Sequence, residues 1–190
     1  YVLATPVQVM NAFSTIVNGG KHMQLSMIGK TVDSEGNVVQ SFEPEMLWDI
    51  TKDALIHTYE GNNQTSEVKA IEPWVIDLAM EGMQLVTSQE GTAKIEFEGD
   101  ENRIAGKTGT AEYCDDWANR EGLCIPGSWP SHAWFAGYAP YDDPEIVVVS
   151  FIYNGREGST VSGPIVRKII DAYFEFKAID AELEGLQTGN

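Results

Sequence analysis

Apolar residues recur at helical spacing in three stretches of the chain. Val9, Phe13, Ile16 and Val17 follow Thr5 and Pro6, an N-cap residue and a proline at the first helical position, and Asn18-Gly19-Gly20 ends the run. From Pro73, the residues Val75, Leu78, Ala79, Gly82, Leu85 and Val86 form a stripe expected to face a core, with Gly91 closing the helix. A third helix is expected from Pro164, with Ile165, Ile169, Ala172, Tyr173 and Phe176 on the face that lies on a sheet. Residues 181–190 are polar and read as a frayed tail.

Between the second and third helices the period changes. Residues 104–111, 133–138 and 146–153 read as strands, the last rich in Val and Ile behind the turn Asp142-Asp143-Pro144. Three successive strands joined by loops suggest an antiparallel meander. Residues 24–32 and 38–39 flank Asp33-Ser34-Glu35-Gly36-Asn37 and predict a small hairpin, while 59–70 read as a surface loop. The fold class expected is α/β of the α+β type, an antiparallel sheet with packed helices.

Composition narrows the class of partner. With 43% hydrophobic and 22% charged residues, the 190-residue chain has the make-up of one globular domain or part of one. Its net charge of -17 argues against nucleic acid and anionic lipid, which require a basic patch. No apolar run approaches the roughly 18 residues that span a bilayer. Cys114 and Cys124 fit no Cys-x-x-Cys pattern and the three histidines are scattered, so no metal site is expected. The cysteine spacing leaves open a loop-clamping disulfide or two free thiols.

The chemistry concentrates in Gly106-Lys107-Thr108-Gly109-Thr110-Ala111-Glu112. A peptide ending in a free carboxylate needs a cation, hydroxyl donors and a backbone edge to hold it in register. Lys107, Thr108, Gly109 and Thr110 supply these. Strand alternation puts Lys107 and Gly109 on one face and Thr108 and Thr110 on the other, so one ligand would meet both only through twist or divided roles. An isolated Lys-Thr-Gly-Thr is equally a solvated sheet edge guarded by lysine.

The flanking segments decide between these readings. Tyr1-Val2-Leu3-Ala4-Thr5-Pro6-Val7-Gln8, Gly91-Thr92-Ala93, the run from His132-Ala133-Trp134-Phe135 through Gly137-Tyr138-Ala139-Pro140, and Pro144-Glu145-Ile146-Val147 stand in order around the motif. Together they resemble the C-terminal part of the transpeptidase domain of class B penicillin-binding proteins, with the His132 run closer to elongation-type members. The resemblance covers nearly the whole chain, with residues 1–180 read as the domain portion. It implies the fold shared by penicillin-binding proteins and serine β-lactamases, present as a fragment. It further implies a peptidoglycan D,D-transpeptidase that cross-links stem peptides ending in D-Ala-D-Ala through a serine acyl-enzyme and binds β-lactams. No cofactor is implied. A membrane anchor outside these residues, the extracytoplasmic face and a membrane glycan polymerase as partner belong to the same expectation. Lys107 would supply positive potential, the Thr108 and Thr110 hydroxyls would bind the substrate carboxylate, and the backbone N–H of Thr110 would be one oxyanion donor. Gly109 would let the substrate backbone approach.

The family pairs this strand with Ser-x-x-Lys and Ser-x-Asn. No Ser-x-Asn occurs here, and the one Ser-x-x-Lys, Ser66-Glu67-Val68-Lys69, lies in the expected loop rather than at a buried helix start. The nucleophile is therefore expected outside the chain, and the chain alone is expected to be inactive. Gly106-Lys107-Thr108 does not complete a phosphate loop, because Glu101 stands where that loop needs glycine. The segment 113–131, with Trp117 and Trp129, would lie beside the cleft. Two rival readings remain, a β-lactam sensor or β-lactamase-like hydrolase, and a non-catalytic carboxylate- or peptide-binding module.

Overall fold

The computed structural model describes residues 3–53 and 55–188, which fall into two compact units, 11–79 and 1–10 with 80–190. Helix α1 (Pro6–Val17) opens with a capping box. Gln8 N donates to Thr5 Oγ1 at 3.3 Å while Thr5 N donates to Gln8 Oε1 at 2.8 Å, satisfying two backbone donors at the helix start. Phe13 and Val17 are buried and Val9 and Ile16 half-buried, as the spacing predicts.

The 11–79 unit holds three antiparallel two-stranded ladders: β1 (Lys21–Met23) with β4 (Met46–Asp49), β2 (Lys30–Val32) with β3 (Val38–Ser41), and β5 (Leu55–Glu60) with β6 (Asn63–Val68). The β2–β3 hairpin is the expected one, shorter at its first strand, and Asp33 Oδ1 accepts from Glu35 N and Asn37 N across its turn. The β5–β6 hairpin corrects the loop expected over 59–70. Its β6 side chains are all exposed, so no buried face marks the strand in the sequence, and the signal lay in Tyr59, Thr65 and Val68 around a turn where Gly61 takes φ +62.

In the second unit β7 (Ala105–Glu112), β8 (Ser131–Ala139) and β9 (Ile146–Ile152) form the expected antiparallel meander, in the order β7-β8-β9. A short α3 (Asp116–Arg120) lies between β7 and β8, and a π-turn (Gly158–Ser162) leads into α4 (Gly163–Thr188). Ala93, Phe97, Ile104, Phe135, Ala139, Val166 and Ile170 make one core cluster between the sheet and α4.

Both later helices exist where expected but bury a different face. In α2 (Pro73–Thr87), Ile76 and Met83 are buried while Val75, Leu78 and Leu85 are exposed. In α4, Val166 and Ile170 are buried with Phe174 packed beside them, and Ile165, Ile169, Tyr173 and Phe176 face outward. Each helix carries two adjacent apolar stripes, and periodicity alone does not rank them. The segment expected to fray from residue 181 is helical to Thr188, and 189–190 lie outside the described residues.

Candidate functional site

Strand β7 is an outer strand of its sheet, and both backbone groups of Ile104 fix where it begins. Thr87 Oγ1 at the end of α2 donates to the Ile104 carbonyl at 2.7 Å, and Asp100 Oδ2 accepts from Ile104 N. The sequence did not signal either anchor: Thr87 reaches Ile104 across a separation of 17 residues, and the Asp100 bond, a separation of 4, is a local turn contact that no apolar period marks.

The ladder register assigns the faces. Gly106, Thr108 and Thr110 stand opposite Gly137, Phe135 and Ala133, and Phe135 packs with Val166 and Ile170, so the two threonines share the α4 face. Lys107, Gly109 and Ala111 stand opposite Ala136, Trp134 and His132 on the other face. The structure thus brings the four site residues together on one outer strand and keeps the alternation the sequence requires. Lys107 Nζ folds back to donate to the Thr108 carbonyl at 2.7 Å, which holds its charge close to its own strand. Thr110 is exposed, and Thr108 and Gly109 are half-buried.

Cys114 and Cys124 are joined by a disulfide just beyond β7. Inside the loop it closes, Asp115 caps α3 by accepting from Ala118 N at 2.8 Å and accepts from the Tyr153 hydroxyl at 2.7 Å. These hydrogen bonds, the Ala118 one foremost, hold the Asp115 carboxyl below the usual range, and the bond to Asp115 pushes the Tyr153 phenol up. Tyr113 stacks on His132 at 3.9 Å, and Asn154 N donates to His132 Nδ1 at 3.2 Å. Burial lowers the His132 pKa, opposed by the charge of Asp115. The loop is therefore tied to the residue just after β9 by a carboxylate–phenol bond, and Tyr113 just before it to β8 by an aromatic stack.

Sequence reasoning missed the turn behind the strand. Arg156 N donates to the Ser131 carbonyl at 2.9 Å, Ser131 Oγ to the Arg156 carbonyl at 3.1 Å, and Ser162 Oγ to the Ala133 carbonyl at 3.0 Å. Gly158 packs directly on the backbone of Gly109 and Trp134. The available signal was the glycine pair Gly155 and Gly158 after a β-rich run, a mark of close backbone approach.

Ser66 is distant in character from an activated nucleophile. It lies on exposed β6, where its Oγ meets His57 Nδ1 at 2.7 Å across the hairpin rather than a lysine. A cleft of about 500 Å³ lies elsewhere, lined by residues including Gln84, Lys94, Arg103 and Tyr141, and contains none of the site residues. Among the described residues no group of His, Cys, Asp and Glu is placed to hold a metal, and no helix is long and apolar enough to cross a membrane.

The penicillin-binding protein transpeptidase domain family matches residues 2–171. The chain is 34% identical over 178 residues to the peptidoglycan D,D-transpeptidase MrdA of Haemophilus influenzae, covering 91% of this chain and 24% of that protein. It is 29% identical over 199 residues to penicillin-binding protein 2A of Bacillus subtilis, again covering 24% of the relative. Among solved structures, PBP2 of Pseudomonas aeruginosa in complex with WCK 5153 superimposes with a TM-score of 0.60 at 26% identity, over 90% of this chain and 30% of that one. The chain thus spans about a quarter of the curated relatives it matches. An outer Lys-Thr-Gly-Thr strand, a three-stranded meander backed by a C-terminal helix, and relatives of the class B elongation type converge: the chain belongs to the penicillin-binding protein transpeptidase domain family.

Proposed function

We propose that this chain is the part of a peptidoglycan D,D-transpeptidase that presents the substrate-reading strand, working with a serine nucleophile supplied from outside residues 1–190. The observation that carries the reading is β7: an outer strand whose Lys107, Thr108, Gly109 and Thr110 are placed together and anchored at Ile104. Its open side offers backbone groups to a peptide added as a further strand, its hydroxyls suit the terminal carboxylate of a D-Ala-D-Ala stem, and Lys107 adds positive potential to the active centre. A β-lactam carries a carboxylate and an acyl group in a comparable relation and would take the same place. The backbone N–H of Thr110 would serve as one oxyanion donor, a group whose loss costs roughly 3 kcal/mol of transition-state stabilisation in acyl transfer.

In this reading the acyl-enzyme passes to an amine of a neighbouring strand on the extracytoplasmic face of the membrane, with a membrane glycan polymerase as partner of the whole protein. The 190 residues alone neither hydrolyse nor trap penicillin, because Ser66 lacks a lysine partner. The name of the Haemophilus influenzae relative, a D,D-transpeptidase, favours this over a sensor or hydrolase.

The test is acylation of the full-length protein that carries this segment by a fluorescent penicillin, with Thr110→Val and Thr110→Pro compared. Valine removes a hydroxyl and keeps the N–H, whereas proline removes the N–H. The reading expects proline to slow acylation by roughly 10²–10³-fold and valine to slow it less. Equal effects would contradict the oxyanion role, and unimpaired acylation in both would remove the strand from the site.

A further inference from the structure

The turn that follows β9 holds Arg156 in the left-handed region at φ 66, with Asn154 before it at φ 51. Asparagine adopts this backbone readily, and arginine does so at a cost that surrounding structure must impose. The structure imposes it through two hydrogen bonds to Ser131, one from Arg156 N and one to its carbonyl.

The position of that turn relative to the site strand is fixed by contact. A Cβ built on Gly155 would lie 2.8 Å from Ala133 Cβ, and Ala133 stands directly opposite Thr110 in the ladder. A Cβ built on Gly158 would lie 2.6 Å from the Gly109 carbonyl oxygen. Arg156 falls between these two glycines in sequence, and Ser131, which holds its backbone, stands opposite Glu112 on the face that carries Thr108 and Thr110. Lys107, in contrast, projects from the opposite face. The threonines therefore have no cation of their own strand on their side.

Arg156 is exposed, and none of the ion pairs among the described residues involves it. Its neighbour Glu157 is engaged instead, accepting from Ser159 Oγ at 3.2 Å. In a chain of net charge -17, an exposed arginine held in a strained backbone, on a turn packed against Ala133 and Gly109 and in none of the ion pairs among the described residues, is arranged for an incoming carboxylate.

We propose that Arg156 is a specificity-determining residue, a second cation that binds the terminal carboxylate of the ligand read by Thr108 and Thr110. This rests on the proposed function of the strand and assigns the carboxylate to the α4 face, leaving Lys107 to the reacting end. It also explains why arginine stands where glycine would relieve the backbone.

The experiment titrates the ¹⁵N-labelled chain with N-acetyl-D-alanyl-D-alanine and, separately, with its C-terminal amide. In the wild type the acid shifts the Thr108, Gly109 and Thr110 amides and the Arg156 Nε signal, and the amide does not. Arg156→Gln weakens binding of the acid roughly tenfold, as loss of one charge-assisted hydrogen bond does, and leaves the response to the amide unchanged. Arg156→Gly produces the same loss while raising Tm, because the strain is relieved. Acid binding that survives in Arg156→Gln but is lost in a Thr108→Val, Thr110→Val double variant overturns the inference and leaves the strand's function standing. Absence of any carboxylate-dependent shift in the wild type overturns both.

Discussion

Gly158 lies against Gly109 so closely that a Cβ on Gly158 would stand 2.6 Å from the Gly109 carbonyl oxygen and 3.0 Å from its nitrogen. Backbone atoms cannot swing aside as the end of a side chain can. The π-turn that opens α4 is thereby pressed onto the site strand, and the position of the Lys-Thr-Gly-Thr run depends on a residue almost fifty positions later. Function at the strand and packing of the C-terminal helix are one structural problem.

Gly158→Ala is therefore expected to destabilise the protein by about 1–3 kcal/mol through overpacking and to displace the Gly109 amide resonance. Gly82→Ala is the control, since a Cβ there meets nothing within 4 Å and the residue is inside α2. It should raise stability by roughly 0.5–1 kcal/mol. Chemical denaturation of both variants, with ¹⁵N spectra of the first, checks the pair. A tolerated Gly158→Ala with an unmoved Gly109 signal would show that the contact does not position the strand.

The two apolar stripes of α4 should respond unequally to truncation. Ile170→Ala, on the buried stripe, is expected to cost about 2–5 kcal/mol, and Ile169→Ala, which is 47% exposed, well under that. Urea midpoints of the two variants decide it, and equal losses would mean the outward stripe is covered in solution.

The Cys114–Cys124 bond closes a loop with a sequence separation of 10. Removing it in the double serine variant, or by reduction, should cost about 2–3 kcal/mol on the chain-entropy model. The aromatic stack and the Asp115–Tyr153 bond should hold the loop locally. Thermal melts with and without reductant measure the cost, and coincident melts would show the cysteines reduced in solution.

His132 gives the protein a pH dependence of defined sign. Burial, stronger than the opposing charge of Asp115, depresses its folded-state pKa below the ordinary value of 6.5, so the unfolded chain takes up the proton first. Stability contributed by neutral His132 is present above that value and is lost as pH falls from about 6.5 through the depressed pKa. Protonation at Nδ1 also removes the acceptor that Asn154 N uses. Tm measured from pH 8 down to pH 5 should fall, and His132→Phe should flatten the slope over that range. An unchanged slope in the variant would assign the dependence to other groups.

The sequence made the meander, the three helices and the site strand legible because each rests on local pattern: alternating or β-branched runs for β7, β8 and β9, N-terminal prolines for α1, α2 and α4. Which stripe of α2 or α4 is buried was not legible, because Ile165 and Val166 are equally apolar and only the sheet beneath selects one. The β5–β6 hairpin escaped notice because an exposed ladder needs no hydrophobic alternation. The anchors of β7 escaped for a different reason. Thr87 and Gly158 act through backbone groups far away in sequence, Asp100 bonds Ile104 N at a separation of only 4, and no periodicity encodes either kind of contact. Segment order around Lys107 carried the family; the geometry behind Gly109 came from the structure alone.

On the proposed function, Lys107 to Thr110 serve a serine lying outside these residues. Intact-mass and peptide mapping of the full-length protein that carries this segment, after reaction with penicillin, locates that serine. One penicilloyl adduct is expected on a serine of a Ser-x-x-Lys sequence outside residues 1–190, formed more slowly when Lys107 is replaced by alanine. An adduct on Ser66, or none at all, would contradict it.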